Sequence, residues 1–378
     1  MRTLTLKNVA WASRPRVCGS RAQSKGETPS PRKCISVICG LLLLCPLAPR
    51  ARGAEELLPK YITPQAQKAI KNGLDFLAKQ QSPEGNFPNS NDGAEYAVTM
   101  TSLAGMAFLA NGNTSTRGPY SENVRRVETF VMANANPNGL ICTPNEFNGK
   151  SMYGHGFGLL FLSSAYGMET DEKVRNRMRT IITNGIDLTC KAQCRGGWTY
   201  VPGSGDEGSV TITQMQALRA AQNAGFAVPK GTVEAATQYL ENCQNPDGGI
   251  VYSLGGGGPS RLAISAAAIA CLYNAGDYDS KMSDACLAFV DKQFQINANN
   301  WSKGGGHDYY THLYASQAFY QAGDKYWSNY FPGARDQLLH QQARDGSWPG
   351  DFVGPVYGTS IALIILQLPY KFLPIYQR

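Results

Sequence analysis

Few residues of this 378-residue chain are equipped for acid–base work, and they fall into short clusters. His307 and Asp308 are adjacent and His312 follows closely; a His/Asp set of this kind serves as general acid and base, or Asp308 caps a helix. His155 sits in Tyr153-Gly154-His155-Gly156, where the glycines either give a ligand close access or let helices pack tightly around a core histidine. Carboxylates occur at Glu95, beside Tyr96, and at Asp206-Glu207, just ahead of Ser209. Two of them about 5 to 9 Å apart would suit glycan cleavage, and Glu95 with Asp206 or Glu207 is the pairing a fold might create. Arg261 heads an alanine-rich segment and suits a carboxylate, across a site mouth or on a ligand. Tyr310, and Tyr357 with Thr359, complete the set. The run Gly255–Gly258 lacks the Lys and Ser or Thr of a phosphate loop and reads as a rim loop.

What positions these residues is a repeat. Gln81-Ser-Pro-Glu-Gly85, Gln244-Asn-Pro-Asp-Gly248 and Gln342-Ala-Arg-Asp-Gly346 share one pattern, with weaker copies at Gly139, Gly196 and Asn300. Asn299 and Asn300 stand where other copies use glycine for a left-handed turn residue. An apolar or aromatic residue follows two places on in five copies: Phe87, Ile141, Trp198, Ile250 and Trp348; in the fifth repeat Trp301 comes early. Segments before the turns carry one apolar stripe at helical spacing, as in Ile70, Leu74 and Leu77. Segments after them, such as 155–168 and 261–276, are apolar on several sides and read as inner helices. No strand run is present. The last helix, expected over 359–374, is very apolar and needs burial, which closure onto the first repeat supplies. The expectation is an all-α protein, one (α/α)6 toroid of six two-helix repeats over residues 57–378.

The Gln-x-x-x-Gly turns with their tryptophans resemble the QW-type repeats of the squalene cyclase and protein prenyltransferase superfamily, whose α/α toroid the six-repeat count also matches. The resemblance covers nearly all of the chain after the targeting segment and implies a cavity for an isoprenoid-like substrate. It assigns Gln81, Gln244, Gln342, Trp198 and Trp348 to turns and packing. The chemistry of that superfamily does not carry over. Cyclases that begin by protonation use Asp-x-Asp-Asp, and no two aspartates are adjacent here. The Asp-Asp-x-x-Asp magnesium motif is missing, and Asp277-Tyr278-Asp279 reads as a solvated turn. Around the prenyltransferase zinc histidine, Asp308, Tyr310 and Tyr314 match in spacing, but Thr311 occupies the histidine position. His312 is displaced by about 100° of helix, and Pro259–Leu262 lacks the Asp and Cys of the preceding repeat, so no metal or other cofactor is expected.

In a closed toroid the inner helices all start at one end. The clusters named above, in or just before first helical turns, should therefore converge on one mouth, where helix N-termini also favour an anionic group. Two functions remain open. One is an enzyme acting in the cavity on an isoprenoid-like substrate or a glycan; the other is a noncatalytic protein holding a lipid, peptide or glycan. A monomer is expected.

The formal charge of +7 is local. Residues 1–53 hold ten Lys or Arg against Glu27 alone, leaving 25 basic and 27 acidic residues beyond, so no phosphate-binding field exists and nucleic acid is excluded as main partner. Arg32 and Lys33 precede a mostly apolar stretch, Cys34 to Ala48, followed by small residues at Ala51, Gly53 and Ala54. This has the form of a signal peptide and is too short, with Pro46 inside it, to span a bilayer. Export to a periplasmic or extracellular location is the expectation, with membrane contact only through this segment; Ile38 and Leu44 are poor neighbours for lipidation of Cys39 or Cys45. Export permits disulfides, for which Cys190 and Cys194, with Cys142 in an adjacent turn, are the candidates. Cys271 and Cys286 read as small core residues.

Overall fold

The turn glycines set the helix spacing. The computed structural model describes residues 58–88, 95–147, 149–296, 300–303 and 305–377, and Glu56–Arg378 forms a compact unit by itself. The targeting segment expected over 1–53 lies outside the described residues. Among the described residues there are thirteen α-helices and no strand. Outer helices are α1 (Pro64–Gln80), α3 (Ser121–Ala133), α6 (Glu172–Lys191), α8 (Lys230–Asn242), α10 (Lys281–Gln295) and α12 (Asp324–Gln341). They alternate with inner helices α2 (Ala97–Ala110), α5 (Ser151–Tyr166), α7 (Gly208–Asn223), α9 (Leu262–Ala275), α11 (Asp308–Ala322) and α13 (Pro355–Gln367), while α4 (Pro144–Phe147) is a single turn. Side chains of Thr63, Asp171 and Ser280 cap α1, α6 and α10. Outer helices bury one stripe, as Met178, Ile182 and Ile186 do on α6; α2 buries thirteen of its fourteen residues.

The inner helices pack in the order α2, α5, α7, α9, α11, α13, and α13 returns to α2, so the ring closes. Each turn glycine rides on the next outer helix. Gly85, Gly139, Gly196, Gly248 and Gly346 all have positive φ. An added Cβ would stand 2.3 to 2.6 Å from a carbonyl oxygen of Arg126, Asn184, Ala235, Ala285 and Asn72 respectively, a space only glycine leaves. The turn glutamines act as staples: Gln81, Gln193, Gln244 and Gln342 each donate from Nε2 to the turn's own glycine carbonyl and to a carbonyl of the following outer helix. For Gln342 that partner is Ala69 of α1, at 2.9 Å, which is how the last turn grips the first helix. Trp198 and Trp348 donate from their indoles to Thr189 and Leu338 carbonyls between the rings. In the fifth turn, residues 297–299 lie outside the described residues, Asn299 among them.

Two expectations are corrected. The last helix runs over 355–367 and not 359–374, because Pro369 cannot donate to a helical ladder; two 3-10 turns, Leu368–Tyr370 and Pro374–Tyr376, then carry the chain to the far end of α7. Cys142, Cys190 and Cys194 form no disulfide. All six cysteines among the described residues are free thiols, with Cys271 and Cys286 in the core.

Candidate functional site

Two side-chain bonds cross the ring between α7 and α11. Gln216 Nε2 on α7 donates to Gln317 Oε1 on α11 at 2.6 Å, and Tyr310 Oη donates to the Ser209 carbonyl at 3.3 Å. These two bonds join α7 to α11 across the ring, and a cavity lies among α2, α5, α11 and α13. It has a volume of about 470 Å³ and opens at the N-terminal ends of the inner helices. Its wall is built from Tyr96, Thr99, Met100 and Leu103 of the α2 segment, Tyr153 and Phe157 of α5, Tyr310 and Leu313 of α11, and Tyr357 and Ile361 of α13. Gly149, Lys150, Tyr200, His307, Phe352 and Val353 complete the lining.

Five of the residues picked from sequence are thus brought together: Tyr96, Tyr153, His307, Tyr310 and Tyr357. The tyrosine hydroxyls are largely engaged with protein. Tyr153 Oη meets Ser209 Oγ, and Tyr200 Oη meets Tyr252 Oη. Burial pushes the Tyr153, Tyr310 and Tyr357 phenols far up, so they stay neutral donors and acceptors. Tyr96 packs edge-on against Tyr153, and Lys150 Nζ stands 4.9 Å over the Tyr96 ring. Thr99, 5% exposed, has an Oγ1 without a hydrogen-bond partner in this wall.

His155 and His312 face away from the mouth. His155 Nδ1 accepts from the Ile141 backbone at 3.2 Å, so Nε2 carries the proton and donates to Thr189 Oγ1 at 2.8 Å. His312 likewise donates from Nε2 to the Trp301 carbonyl, accepts from Tyr330 Oη, and stacks on the Trp301 ring at 3.7 Å. Burial lowers the two imidazoles to about 4 and about 3, keeping both neutral. His155 holds the same post as other residues of the repeat. The N–H two residues past the turn glycine donates to Thr101 from Phe87, to Thr211 from Trp198, to Ser265 from Ile250 and to Thr359 from Trp348. Both histidines are turn anchors between the rings.

The carboxylates are also placed away from the cavity. Glu95 is exposed on the rim and ion-paired to Lys150 at 3.4 Å. Asp206 accepts from the Leu254 N–H and lies 4.0 Å from Arg195. Glu207 is the N-cap of α7, accepting from the Ser209 and Val210 N–H groups, with its carboxyl raised by burial. Glu146 caps α2 by accepting from Val98, and Asp351 caps α11 by accepting from Tyr309. Asp308 accepts from the Lys303 N–H and closes the preceding loop, so the expected cap role belongs to Asp351. Three of the six inner helix N-termini therefore already face a protein carboxylate, which weakens the case for an anionic ligand. Arg261, expected to meet a carboxylate, lies instead 4.7 Å over the Tyr252 ring. No group of three or more His, Cys, Asp or Glu among the described residues is arranged to hold a metal ion.

Sequence reasoning missed the depth of the wall: Thr99, Met100, Leu103, Phe157, Leu313 and Ile361. The signal was available. Each follows a first-turn tyrosine at helical spacing, as Tyr96, Thr99 or Met100 and Leu103; Tyr153 and Phe157; Tyr310 and Leu313; Tyr357 and Ile361.

No protein-family model matches the sequence. The chain is 25% identical over 218 residues to drimenyl diphosphate synthase from Streptomyces showdoensis, an alignment covering 58% of this chain and 38% of that protein. Among solved structures it is similar to the type II terpene cyclase MstE from Scytonema, in a variant complexed with the substrate geranylgeranyl dihydroxybenzoate (14% identity, TM-score 0.56, 82% of this chain and 98% of that one). It is similar also to a GH76 α-mannanase from Bacteroides thetaiotaomicron (11% identity, TM-score 0.58, 81% and 96%) and the GH76A α-1,6-mannanase from Salegentibacter (8%, TM-score 0.60, 81% and 99%). At these identities the likeness is one of fold, and the fold is the terpenoid cyclase-type α/α toroid.

Proposed function

We propose that this protein binds a long apolar, isoprenoid-like molecule in the mouth cavity of its toroid. The observation that carries the reading is the wall itself, aromatic and aliphatic along four inner helices with no Asp or Glu among its lining residues. Cleaving a glycan needs two carboxylates aimed at one bond, and Glu95, Asp206 and Glu207 are held by Lys150, a loop N–H and a helix N-terminus. The activity named for the Streptomyces relative and the substrate bound to the Scytonema cyclase support an apolar ligand class; the mannanases keep a glycan as the competing reading. The proposal assigns no catalytic acid.

Calorimetric titration with geranylgeraniol and with mannotetraose tests this. Geranylgeraniol is expected to bind and mannotetraose not, with Leu103→Trp and Leu313→Trp, which fill the cavity, each weakening geranylgeraniol more than tenfold. Saturable mannotetraose binding alone, or no effect of either substitution, would overturn it. Export is part of the proposal, supported by the basic, apolar and small residues in order through residue 54. N-terminal sequencing of protein recovered outside the cytoplasm should find a start between residues 48 and 58.

A further inference from the structure

Residues 368–377 cross the far opening of the toroid, where the inner helices end. The turn Leu368–Tyr370 leaves α13, and Pro374–Tyr376 packs on α7, the helix opposite α13 in the ring. Between them Phe372 lies over Gly112, just past α2, where an added Cβ would stand 2.8 Å from the phenyl ring. Leu373, Ile375 and Tyr376 are buried. Their place is under the mouth cavity. Leu373 and Tyr376 share a gap of about 10 Å³ with Ala110, Ile364 and Gln367. Ala110 is seven residues past Leu103 of the cavity wall, hence on the same face of α2 and two turns deeper, and Ile364 is three past Ile361 on α13. Tyr310 of the wall meets Tyr314 at 4.7 Å, and Tyr376 stands close enough to Tyr314 for the two phenols to act on each other. The helices wall the lumen, and the tail supplies its floor.

We propose that this tail is a removable stopper: when it is displaced the lumen opens at its far end and admits an isoprenoid chain longer than the mouth cavity, which Ile375 and Tyr376 otherwise exclude. Two observations let the tail leave while the ring stays folded. Among the described residues, the hydrogen bonds of 371–377 stay inside the tail: Lys371 N–H donates to Leu368, Tyr376 N–H to Leu373, and Gln377 N–H and Nε2 to Pro374 and Leu373. The turn glutamines, by contrast, tie each repeat to the next. Only apolar contact holds the tail, so lifting it breaks none of those staples. The tail also covers Tyr314 Oη and Gln367 Oε1, buried atoms with no hydrogen-bond partner. Water reaches both when the tail lifts, which offsets part of the cost of exposing Leu373, Ile375 and Tyr376. The chain-length role rests on the reading of the cavity as an isoprenoid site; the stopper does not.

Hydrogen exchange and titration with geranylgeraniol and the longer solanesol, both on the full chain, test the proposal. The Tyr376 and Gln377 amides should exchange about a hundredfold or more faster than those of α13. Solanesol should speed them about tenfold further, and geranylgeraniol should leave them unchanged. Ile375→Asp sets a charge in the apolar floor and drives the tail out. It should tighten solanesol binding about tenfold, because the fraction of open molecules no longer limits it, and keep geranylgeraniol within about threefold. Tyr376→Ala should shift solanesol in the same direction by about threefold, and Lys371→Ala, exposed on the tail, should change neither ligand. Tail amides that exchange no faster than those of α13 overturn the stopper. So does an Ile375→Asp or Tyr376→Ala chain that keeps the parent's circular dichroism and binds solanesol no better. A parent that binds neither prenol sinks the cavity reading and the chain-length role with it, and fast tail exchange in that same protein still upholds the stopper.

Discussion

The inward and outward faces of the inner helices carry side chains of opposite fate. Tyr153 and His155, Tyr310 and His312, and Tyr357 and Thr359 are each two residues apart, about 200° around a helix. In every pair the first lines the cavity and the second is buried between the rings. His155 and Thr359 take a turn N–H there, and His312 donates to the Trp301 carbonyl. The outward member of each of these pairs is bonded by the protein. The inward member presents its ring to a space the helices do not fill. A polar residue near a helix start is therefore a site residue only if it shares the inward phase, whatever its chemistry.

Substitutions should separate the two faces. The largest effect is expected at Trp348, wholly buried outward: Trp348→Ala should cost about 3–5 kcal/mol in urea unfolding. The inward Leu103→Trp should leave stability within about 1 kcal/mol while it weakens geranylgeraniol binding more than tenfold. Next comes His155. His155→Ala orphans the Ile141 N–H and should cost about 2–3 kcal/mol, whereas His155→Thr, the residue used at this post in three other repeats, should cost under half of that. If the two variants are equally destabilised, the turn-anchor assignment fails.

A smaller effect is expected from pH. The folded-state pKa values of His155 and His312, lowered to about 4 and about 3, mean the folded chain binds fewer protons than the unfolded one below about 6.5. Stability should fall as pH drops from there toward 3. Glu128 is pushed up to about 8 by burial and the neighbouring Glu169 charge, so here the folded chain binds more protons, and stability should fall as pH rises from about 4.5 to 8. A plot of Tm against pH should be a dome whose alkaline limb Glu128→Gln flattens. The smallest effect belongs to Tyr153→Phe, which removes the contact with Ser209 Oγ and should cost about 1 kcal/mol, leaving geranylgeraniol affinity within about threefold.

Much of the toroid was readable because its determinants are local and repeated. A glycine that alone fits a carbonyl, a glutamine within four residues of it and a period-3.6 apolar stripe all lie within one or two turns of chain. The five mouth residues were readable because a closed ring forces every inner helix to start at one end. His155, His312, Arg261 and the four carboxylates, Glu95, Asp206, Glu207 and Asp308, were not, because their partners are set by tertiary packing: Thr189 for His155, Tyr330 for His312, Leu254 for Asp206. Pro369 did mark the end of the last helix, and reading it as a stop would have placed that boundary correctly.

From the sequence alone follow the helix count per repeat and the turn geometry, since these depend on neighbours along the chain; the phase of each inner helix does not, because these helices are buried on nearly every side. Tertiary structure alone decided which inner helices wall the cavity and which are joined across the ring. That depends on Gln216 reaching Gln317 and Tyr310 reaching Ser209, bonds between residues 101 positions apart in both cases, whose formation no local pattern encodes.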